Sequence, residues 1–192
     1  MSLDFSYKRE ILRKLFHLST CIFALMLLYF GKNICIPIFL SIAIIFFTLD
    51  FLRLKNIRIQ KLYNIFFGIL TKNYEEKQIT SASYVFLSLI IVTIVFEVQI
   101  ASAALLIMSL SDPIASLIGR AYGEFDIFGK SLEGSIAFFI ISVIILYSFN
   151  FPSDTVLYVS VLSTLVELFS DRFHVDDNLS VPIAASILLF IF

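Results

Sequence analysis

Charged residues are scarce in this chain. Only 15% of its 192 residues are Asp, Glu, Lys or Arg, whereas 59% are hydrophobic, and the mean hydropathy is +0.97. Soluble domains carry about 25% charged residues, so this composition excludes an ordinary soluble domain and predicts an integral membrane protein in a lipid bilayer. The net charge of −1 argues against nucleic acid as a partner, because binding to a phosphate backbone requires a basic surface.

Cysteine is equally rare, and no repeat or linker divides the chain. Cys21 and Cys35 lie inside or beside apolar segments without the spacing of metal ligands, which argues against a disulfide framework or a zinc site. We expect both to be small buried residues. Because the sequence shows no internal repeat or low-complexity tract, it predicts one membrane-embedded domain over residues 1–192, with a homo-oligomer as one possibility.

Seven apolar segments predict an all-α fold, a polytopic membrane helical bundle with about seven transmembrane helices. A helix crosses the hydrocarbon core with about 20 apolar residues at 1.5 Å each. The first segment follows basic residues, as a secretory signal does, but its length and the lack of a small-residue cleavage site predict a retained helix. The segments are residues 15–31, 33–52, 80–97, 99–118, 131–149, 154–170 and 179–192.

The basic residues fall on one side of this topology. Thirteen of the fourteen precede the first segment or follow the second, fourth and sixth, and Lys32 alone lies on the other side. The positive-inside rule places the basic side, with the amino terminus, in the cytoplasm. Over about 53–70, apolar residues recur at helical spacing, which predicts a cytoplasmic helix that lies in the membrane interface or packs against the floor of the bundle.

The strongest chemical pattern surrounds Asp112. An ionisable residue inside a membrane segment is costly unless it is paired or hydrated, and it therefore indicates a functional site. Pro113 is expected to break or kink the helix beside this carboxylate and beside Ser111. An irregular backbone at that depth is tolerated where it lines a polar cavity, so we expect such a cavity here.

A glycine-rich stretch follows Asp112. Glycines permit close backbone approach and positive φ, as phosphate-binding loops require. Ser131 and Glu133 begin the fifth segment, whose amino end directs partial positive charge at a bound anion, and Arg120 and Lys130 flank the same place. The combination predicts a phosphate site, and the alternative is a tight re-entrant turn with cations that extend to the interface. The glycines are Gly119, Gly123, Gly129 and Gly134.

A second polar group precedes the last segment. Glu167 and Asp171 are four residues apart and share a helix face, and Asp176, Asp177 and Asn178 follow. Either Asp177 or Asn178 can cap the last helix, but a cap explains only one polar residue. Carboxylate clusters beside phosphates usually hold Mg²⁺, which prefers oxygen ligands, so these acids predict a magnesium site.

Further polar residues lie at the ends of the first two segments. Arg13, Lys14 and His17 precede or begin the first segment. Juxtamembrane bases more often anchor a protein to anionic lipid than bind a substrate, and a His there is more often an interfacial residue than a base. Asp50 and Arg53, three residues apart, most simply form a local ion pair.

These motifs resemble those of the CTP-dependent lipid-alcohol kinases, which include dolichol kinase, phytol kinase and the diacylglycerol kinase of yeast type, and more distantly phosphatidate cytidylyltransferase. The resemblance implies a catalytic domain that transfers the γ-phosphoryl group of CTP to the hydroxyl of a membrane lipid alcohol. Glu124 departs from the pattern, because relatives often carry a basic residue there. The matching stretches are RKLFH at 13–17, SDPIASLIGRAYG at 111–123, GKSLEGS at 129–135 and DDNLSVP at 176–182.

Chemistry and resemblance together assign expected roles. Phosphoryl transfer requires positioning and charge neutralisation, so cations are expected at the triphosphate and carboxylates at Mg²⁺, and Asp112 either binds the metal or orients the accepting hydroxyl. The expected catalytic residues are Asp112, Lys130 and Glu133. The expected phosphate-binding residues are Arg13, Lys14, Arg120, Ser131 and the four glycines. The expected metal ligands are Asp112, Glu133, Asp176 and Asp177, and the further candidates are His17, Ser111, Glu167 and Asn178.

The motifs leave two other functions open. The first is cytidylyl transfer from CTP to a lipid phosphate. The second is transport of an anionic solute, but transporters tend to bind their substrates near the midplane between inverted repeats, whereas the charged motifs here lie at one end. The expected location is a prokaryotic cytoplasmic membrane, otherwise the endoplasmic reticulum or a plastid membrane.

Overall fold

The computed structural model describes residues 5–68, 71, 78–173 and 175–192, without the side chains of residues 5–9 and Asp171. This part of the chain is helical almost throughout. In chain order its main elements are α1 (Phe5–Ser19), α2 (Cys21–Phe30), α3 (Lys32–Lys55), α4 (Ile57–Phe67), α5 (Ser81–Val95), α6 (Val98–Leu106), α7 (Asp112–Tyr122), β1 (Asp126–Ile127), β2 (Lys130–Ser131), α8 (Leu132–Ser148), α9 (Ser153–Ser170) and α10 (Asp177–Ile191).

The predicted all-α membrane bundle is confirmed. Three shorter apolar helices, α5, α8 and α10, occupy the positions of the other predicted segments. The number of seven crossings and the cytoplasmic amino terminus stay predictions. The helical stretches that are long and apolar enough to cross a membrane are Glu10–Phe30, Lys32–Lys55, Val98–Tyr122 and Ser153–Ser170.

The helix predicted over about 53–70 is divided in the structure. Helix α3 continues through Lys55, and α4 begins after Asn56, whose side chain accepts a hydrogen bond from the Arg58 amide at 2.9 Å. This side-chain cap is the local reason for the boundary. Tyr63 on α4 is buried against the bundle, whereas Ile65 and Phe66 are exposed. Helix α4 therefore packs against the bundle on one face and exposes apolar side chains elsewhere, and its position in the membrane interface stays a prediction.

The break expected at Pro113 does not occur. The helix runs from Val98 to Tyr122, but residues Ile107–Ser111 form a π-helical turn immediately before α7, and Pro113 lies in the first turn of α7. Proline has no amide hydrogen to donate to the carbonyl of Ser109, four residues earlier, and the π-turn is where the backbone departs from α geometry. The prediction of an irregular backbone beside Asp112 is therefore confirmed, although the helix continues.

The two ends of the bundle differ in the hydrogen bonds and ion pairs that join neighbouring elements. We call one the charged end, where α1 meets α7 and the β1–β2 hairpin meets α9. At the other, which we call the opposite end, Lys32 Nζ donates to the Ile94 carbonyl at 3.3 Å and Gln99 Nε2 to the Phe149 carbonyl at 2.9 Å.

The core between the two ends is built around α6. Ala101, Ala103 and Ala104 on this helix are fully buried, and small residues let neighbouring backbones approach closely in a membrane bundle. Larger side chains from the surrounding helices, such as Leu27 and Phe138, are also fully buried. This packing fixes α7 and α8, which carry much of the candidate site.

Candidate active site

A cavity of about 500 Å³ lies at the charged end, between α1, α7, the β1–β2 hairpin, α8, α9 and α10. Its volume is within the range of about 300–1,000 Å³ that is usual for small-molecule sites. The fold thus brings together residues from four separate sequence motifs. Twelve of the predicted site residues line this cavity: Arg13, Lys14, Asp112, Gly119, Arg120, Gly123, Gly129, Lys130, Ser131, Gly134, Glu167 and Asp177.

Asp112 forms the innermost ion pair of the cavity. Lys14 Nζ donates to Asp112 Oδ2 at 2.9 Å, and His17 Nε2 lies 3.7 Å from the same oxygen. His17 Nε2 also donates to the Met108 carbonyl at 3.2 Å, which orients the ring. Since Asp112 is buried, the Lys14 ammonium compensates a charge that would otherwise be costly at this depth.

Lys130 connects the hairpin to α9 and α10. Its Nζ donates to Glu167 Oε1 at 2.6 Å and to the Glu167 carbonyl at 2.7 Å, and it lies 3.6 Å from Asp177 Oδ2. Burial disfavours the ammonium, but the carboxylates of Glu167 and Asp177 outweigh it and raise the pKa of Lys130. Lys130 is therefore a cation at the cavity wall throughout the physiological pH range.

Glu10 holds two guanidinium groups at the mouth of the cavity. Arg13 Nη2 donates to Glu10 Oε1 at 2.6 Å, and Arg120 Nη1 lies 2.9 Å from Glu10 Oε2. The sequence-based interpretation did not include Glu10, although its position three residues before Arg13 on a helix is a signal for such a pair. Because the Arg120 side chain is 42% exposed, an incoming anion can compete with Glu10 for it.

Three of the four glycines allow α7 to approach the start of α8. A Cβ atom on Gly119 would lie 2.4 Å from Ser131 Oγ, and one on Gly134 would lie 2.9 Å from the Ala115 carbonyl oxygen. At Gly123 it would lie 2.7 Å from Ser131 Cβ. These glycines therefore allow close packing of the two helices, and their phosphate-binding role stays a prediction.

Positive φ occurs at only one of these four glycines. Gly129 has a φ of +87° and lies in the turn between β1 and β2. Ser131 ends the hairpin and caps α8, since its Oγ accepts a hydrogen bond from the Gly134 amide at 3.0 Å. The expectation of positive φ thus holds for Gly129 and is wrong for Gly119, Gly123 and Gly134, which serve helix packing.

Five predicted site residues do not line the cavity. Glu133 Oε1 accepts a hydrogen bond from the Glu124 amide at 3.1 Å, and the Ser111 and Ser142 hydroxyls are 3.1 Å apart. The cap of α10 is Asp176, not Asp177 or Asn178 as expected: Asp176 Oδ1 accepts from the Asn178 amide at 3.0 Å and from Asn178 Nδ2 at 2.7 Å. The five are His17, Ser111, Glu133, Asp176 and Asn178.

The predicted acids do not form a metal centre from protein ligands alone. Among the described residues, no group of three or more His, Cys, Asp or Glu side chains is placed to hold a metal ion, and the side chain of Asp171 lies outside those residues. However, Asp112 and Asp177 line the same cavity. One or two carboxylates together with substrate phosphates are the usual ligands of Mg²⁺, so the donor set fits a metal shared with a nucleotide.

Besides Glu10, the sequence-based interpretation missed several residues of the cavity wall. Ser116 lies one turn beyond Asp112, and Ser135 lies one turn beyond Ser131. Helical spacing from the motif residues could have found both. Asp126 reaches the cavity through the hairpin, which no sequence signal predicted.

Membrane helices with a cavity of acids, bases and close-packed glycines at one end define an enzyme-like site. Comparison with known proteins identifies its class. CTP-dependent diacylglycerol kinase 1 of Saccharomyces cerevisiae is 30% identical over 97% of this chain and 74% of the yeast protein. The Schizosaccharomyces pombe protein of the same name is 28% identical over 98% of this chain and 95% of its own length.

A plant relative is also similar. The probable chloroplastic phytol kinase 1 of Glycine max is 34% identical over 56% of this chain and 42% of the plant protein. The chain therefore belongs to the CTP-dependent lipid kinase family, and the resemblance seen in the sequence motifs is confirmed. No family model matches the chain. No solved structure is significantly similar to it.

Proposed function

We propose that this protein transfers the γ-phosphoryl group of CTP to the hydroxyl of a membrane lipid alcohol, at the cytoplasmic face of the membrane. The observation that carries the proposal is one cavity that contains both the Lys14–Asp112 pair and Lys130, at the ends of apolar helices. The named activities of the yeast and plant relatives support the donor and the class of acceptor.

The cations of the cavity are proposed to bind the triphosphate. Phosphoryl transfer is mainly positioning and charge neutralisation, and guanidinium groups bind phosphate oxygens in pairs. Arg13 and Arg120 share Glu10 at the mouth, so a triphosphate replaces a carboxylate as their common partner. Lys14 and Lys130 lie deeper, each already beside an acid.

Asp112 is proposed to act on the acceptor. The lipid oxygen forms a bond to the γ-phosphorus, the bond from that phosphorus to the bridging oxygen of CDP breaks, and the hydroxyl proton passes to Asp112. Lys14, at 2.9 Å, keeps the carboxylate ionised and in place before transfer.

Mg²⁺ fits this donor set. Asp177 would hold it together with phosphate oxygens, with Asp112, which lines the same cavity, as a second carboxylate. When bound, it would supply neutralisation of the charge that develops on the phosphates. Glu133 and Asp176, which do not line the cavity, would then act through the hairpin and the α10 cap rather than on the metal.

The cytoplasmic side is proposed from the distribution of bases. Arg13, Lys14, Arg120 and Lys130 lie at the charged end, whereas Lys32 lies at the opposite end. The positive-inside rule then places the cavity in the cytoplasm, where nucleotides are available. The side chains of Lys8 and Arg9 and the whole of Lys72 and Lys77, which contribute to the sequence count, lie outside the described residues.

Labelled CTP tests the proposal. The purified protein in detergent is incubated with CTP and with diacylglycerol, phytol, polyprenol or dolichol. We expect label from the γ-phosphate to enter the lipid fraction only when an alcohol is present, and label in cytidine to stay in the aqueous phase. Cytidine label in lipid would instead indicate cytidylyl transfer to a lipid phosphate, and anion flux into proteoliposomes without CTP turnover would indicate a transporter.

A further inference from the structure

A second, smaller cavity lies beside α1 and shares Arg13 with the candidate active site. It has a volume of about 70 Å³ and is lined by residues of α1, α3, α4 and α5. Four phenylalanine rings and Val85 form much of its wall, and we call it the aromatic cavity. The four rings are Phe16, Phe46, Phe67 and Phe86.

The aromatic cavity meets the candidate active site along one face of α1. Arg13 lines both cavities. One turn later His17 lines the aromatic cavity, and its Nε2 lies 3.7 Å from Oδ2 of Asp112, which lines the active-site cavity. An apolar ligand in the aromatic cavity would therefore have its polar end within reach of the Lys14–Asp112 pair.

The aromatic cavity opens onto an apolar surface. Its floor is buried, since Val85 and Phe86 are 3% and 5% exposed, whereas Phe16 and Phe67 at its rim are 45% and 36% exposed. Its opening thus lies between α1 and α4. Both helices also expose apolar side chains, including Leu15 and Phe66, as a surface in contact with hydrocarbon does.

We infer that the aromatic cavity binds the acceptor, holding the carbon atoms next to the hydroxyl of the lipid alcohol while the chain leaves between α1 and α4. This inference rests on the proposed function. A volume of about 70 Å³ corresponds to little more than two water molecules at about 30 Å³ each. It admits only the first few carbon atoms, so the rest of the chain stays in the bilayer.

This geometry predicts how the kinase selects its acceptor. Bulk beside the hydroxyl must fit against the buried floor at Val85 and Phe86, whereas the described residues place no wall against the distal part of the chain. The specificity constant should therefore depend strongly on substituents near the hydroxyl. It should depend weakly on chain length once the chain is long enough to partition into the membrane.

A second apolar surface provides the alternative that the test must separate. A groove of about 710 Å³ lies between α9 and α10, with Leu165, Phe169 and Ala184 in its wall. It approaches the active site at Ser170, whose Oγ accepts a hydrogen bond from Lys130 Nζ at 3.4 Å. A lipid in this groove would present its hydroxyl to Lys130 rather than to Asp112.

Replacing either of two alanines with phenylalanine distinguishes these sites. Ala82 lines the aromatic cavity and Ala184 the groove between α9 and α10, and both are partly buried. We expect Ala82→Phe to raise KM for the lipid alcohol about tenfold or more with KM for CTP nearly unchanged, and Ala184→Phe to leave both values near those of wild type. The reverse result, a raised lipid KM for Ala184→Phe alone, would overturn the assignment.

A binding measurement keeps the inference testable if Ala82→Phe fails to fold. A lipid alcohol with a diazirine beside its hydroxyl is photolysed with wild-type protein in the absence of CTP, and the labelled peptides are identified by mass spectrometry. We expect labels within residues 13–20 and 81–86. Labels confined to 162–188 would contradict the aromatic cavity as the acceptor site.

The same measurement separates this inference from the proposed function. Labelling within 13–20 and 81–86 without any γ-phosphoryl transfer from CTP would overturn the kinase proposal while the lipid site stands. Conversely, phosphoryl transfer by a protein that is labelled only between α9 and α10 would support the kinase and overturn the aromatic cavity as its acceptor site.

Discussion

The two ends of the bundle use polar side chains differently. At the opposite end, Lys32, Gln99 and Thr155 each donate to a backbone carbonyl near the end of a neighbouring helix, which satisfies carbonyls that a helix terminus leaves unpaired. At the charged end, ion pairs join different elements, as between Lys14 and Asp112. Among the described residues, ion pairs between different elements occur at this end alone. The same apolar helices therefore carry polar groups that satisfy backbone carbonyls at one end and ion pairs around a cavity at the other.

The charged end also contains a buried ion pair that lies outside the cavities. Asp50 and Arg53 form the expected local ion pair at 2.6 Å, and the Asp50 Oδ2 atom also accepts hydrogen bonds from the Thr80 amide, the Thr80 hydroxyl and the Ser83 hydroxyl. Arg53 donates to the Gln78 carbonyl and lies over the Tyr63 ring. This pair is almost fully buried and lines neither cavity. A buried charge alone therefore does not identify a catalytic group, and the role proposed for Asp112 rests on the cavity beside it.

The largest expected effect is that of Asp112→Asn. The amide cannot take the hydroxyl proton and leaves the Lys14 charge without its partner at 2.9 Å. Since general bases contribute about 10²–10⁴-fold, turnover should fall about a thousandfold while the protein is still extracted as a folded species. Asp154→Asn, in the first turn of α9 at the opposite end, is the matched control and should keep wild-type turnover. Activity of Asp112→Asn above a few per cent of wild type would contradict its role.

The sequence predicted Asp112 and Lys130 for a physical reason. A charge within or beside an apolar segment is costly, so its presence indicates a candidate site, and the cavity distinguishes Asp112 from the buried Asp50. Glu10 was missed because its second partner, Arg120, is 110 positions away in the chain and meets it only when α1 lies against α7. The close approach at Gly119 was predictable, but the atom that requires it, Ser131 Oγ, depends on tertiary packing.

Helix boundaries were predicted less well than helix identity. Three consecutive residues, Asp176, Asp177 and Asn178, can each cap a helix, and only the packing of α10 against α5, where Ser81 Oγ donates to Asp176 Oδ2 at 3.2 Å, selects the first. The π-turn before Asp112 has a similar origin. Pro113 indicates a disturbed helix, but whether the helix breaks or widens depends on its neighbours in the core.

Lys130→Met tests whether Lys130, which lies deep in the cavity as Lys14 does, binds substrate in addition to stabilising the fold. It leaves Glu167, buried on α9, without the ammonium at 2.6 Å, which should destabilise the fold by about 3 kcal/mol. Turnover of the remaining folded protein should fall about a hundredfold, as for removal of one charge-stabilising donor. Thermal unfolding in detergent and γ-phosphoryl transfer are the two measurements.

A double variant separates the two effects of Lys130. In Lys130→Met with Glu167→Gln, the uncompensated carboxylate is gone, so the melting temperature should recover substantially. Turnover should stay low, because the cation remains absent from the cavity wall. Recovery of both stability and turnover would mean that Lys130 only balances Glu167.

Arg53→Met sharpens the contrast between the two buried pairs. Removing this guanidinium leaves Asp50 buried without a cation, and the free energy of unfolding should fall by about 3–5 kcal/mol. In the described part of the chain, Arg53 lines neither cavity. Turnover per folded molecule should therefore not change. A selective loss of turnover with an unchanged melting temperature would place this pair in the catalytic machinery instead.

The smallest expected effect belongs to Arg120→Gln at the mouth of the charged end. The Arg120 side chain is 42% exposed and lies 2.9 Å from Glu10, and exposed ion pairs contribute little to stability, so the melting temperature should stay near that of wild type. If Arg120 binds the triphosphate before the chemical step, KM for CTP should rise about threefold to tenfold with kcat little changed. Arg172→Gln is the matched control, since this exposed arginine lies over the Phe128 ring and does not line the cavity. An equal rise in KM for both variants would mean that the general positive charge of this end, rather than a contact from Arg120, attracts the nucleotide, and raising the salt concentration would then remove the difference from wild type.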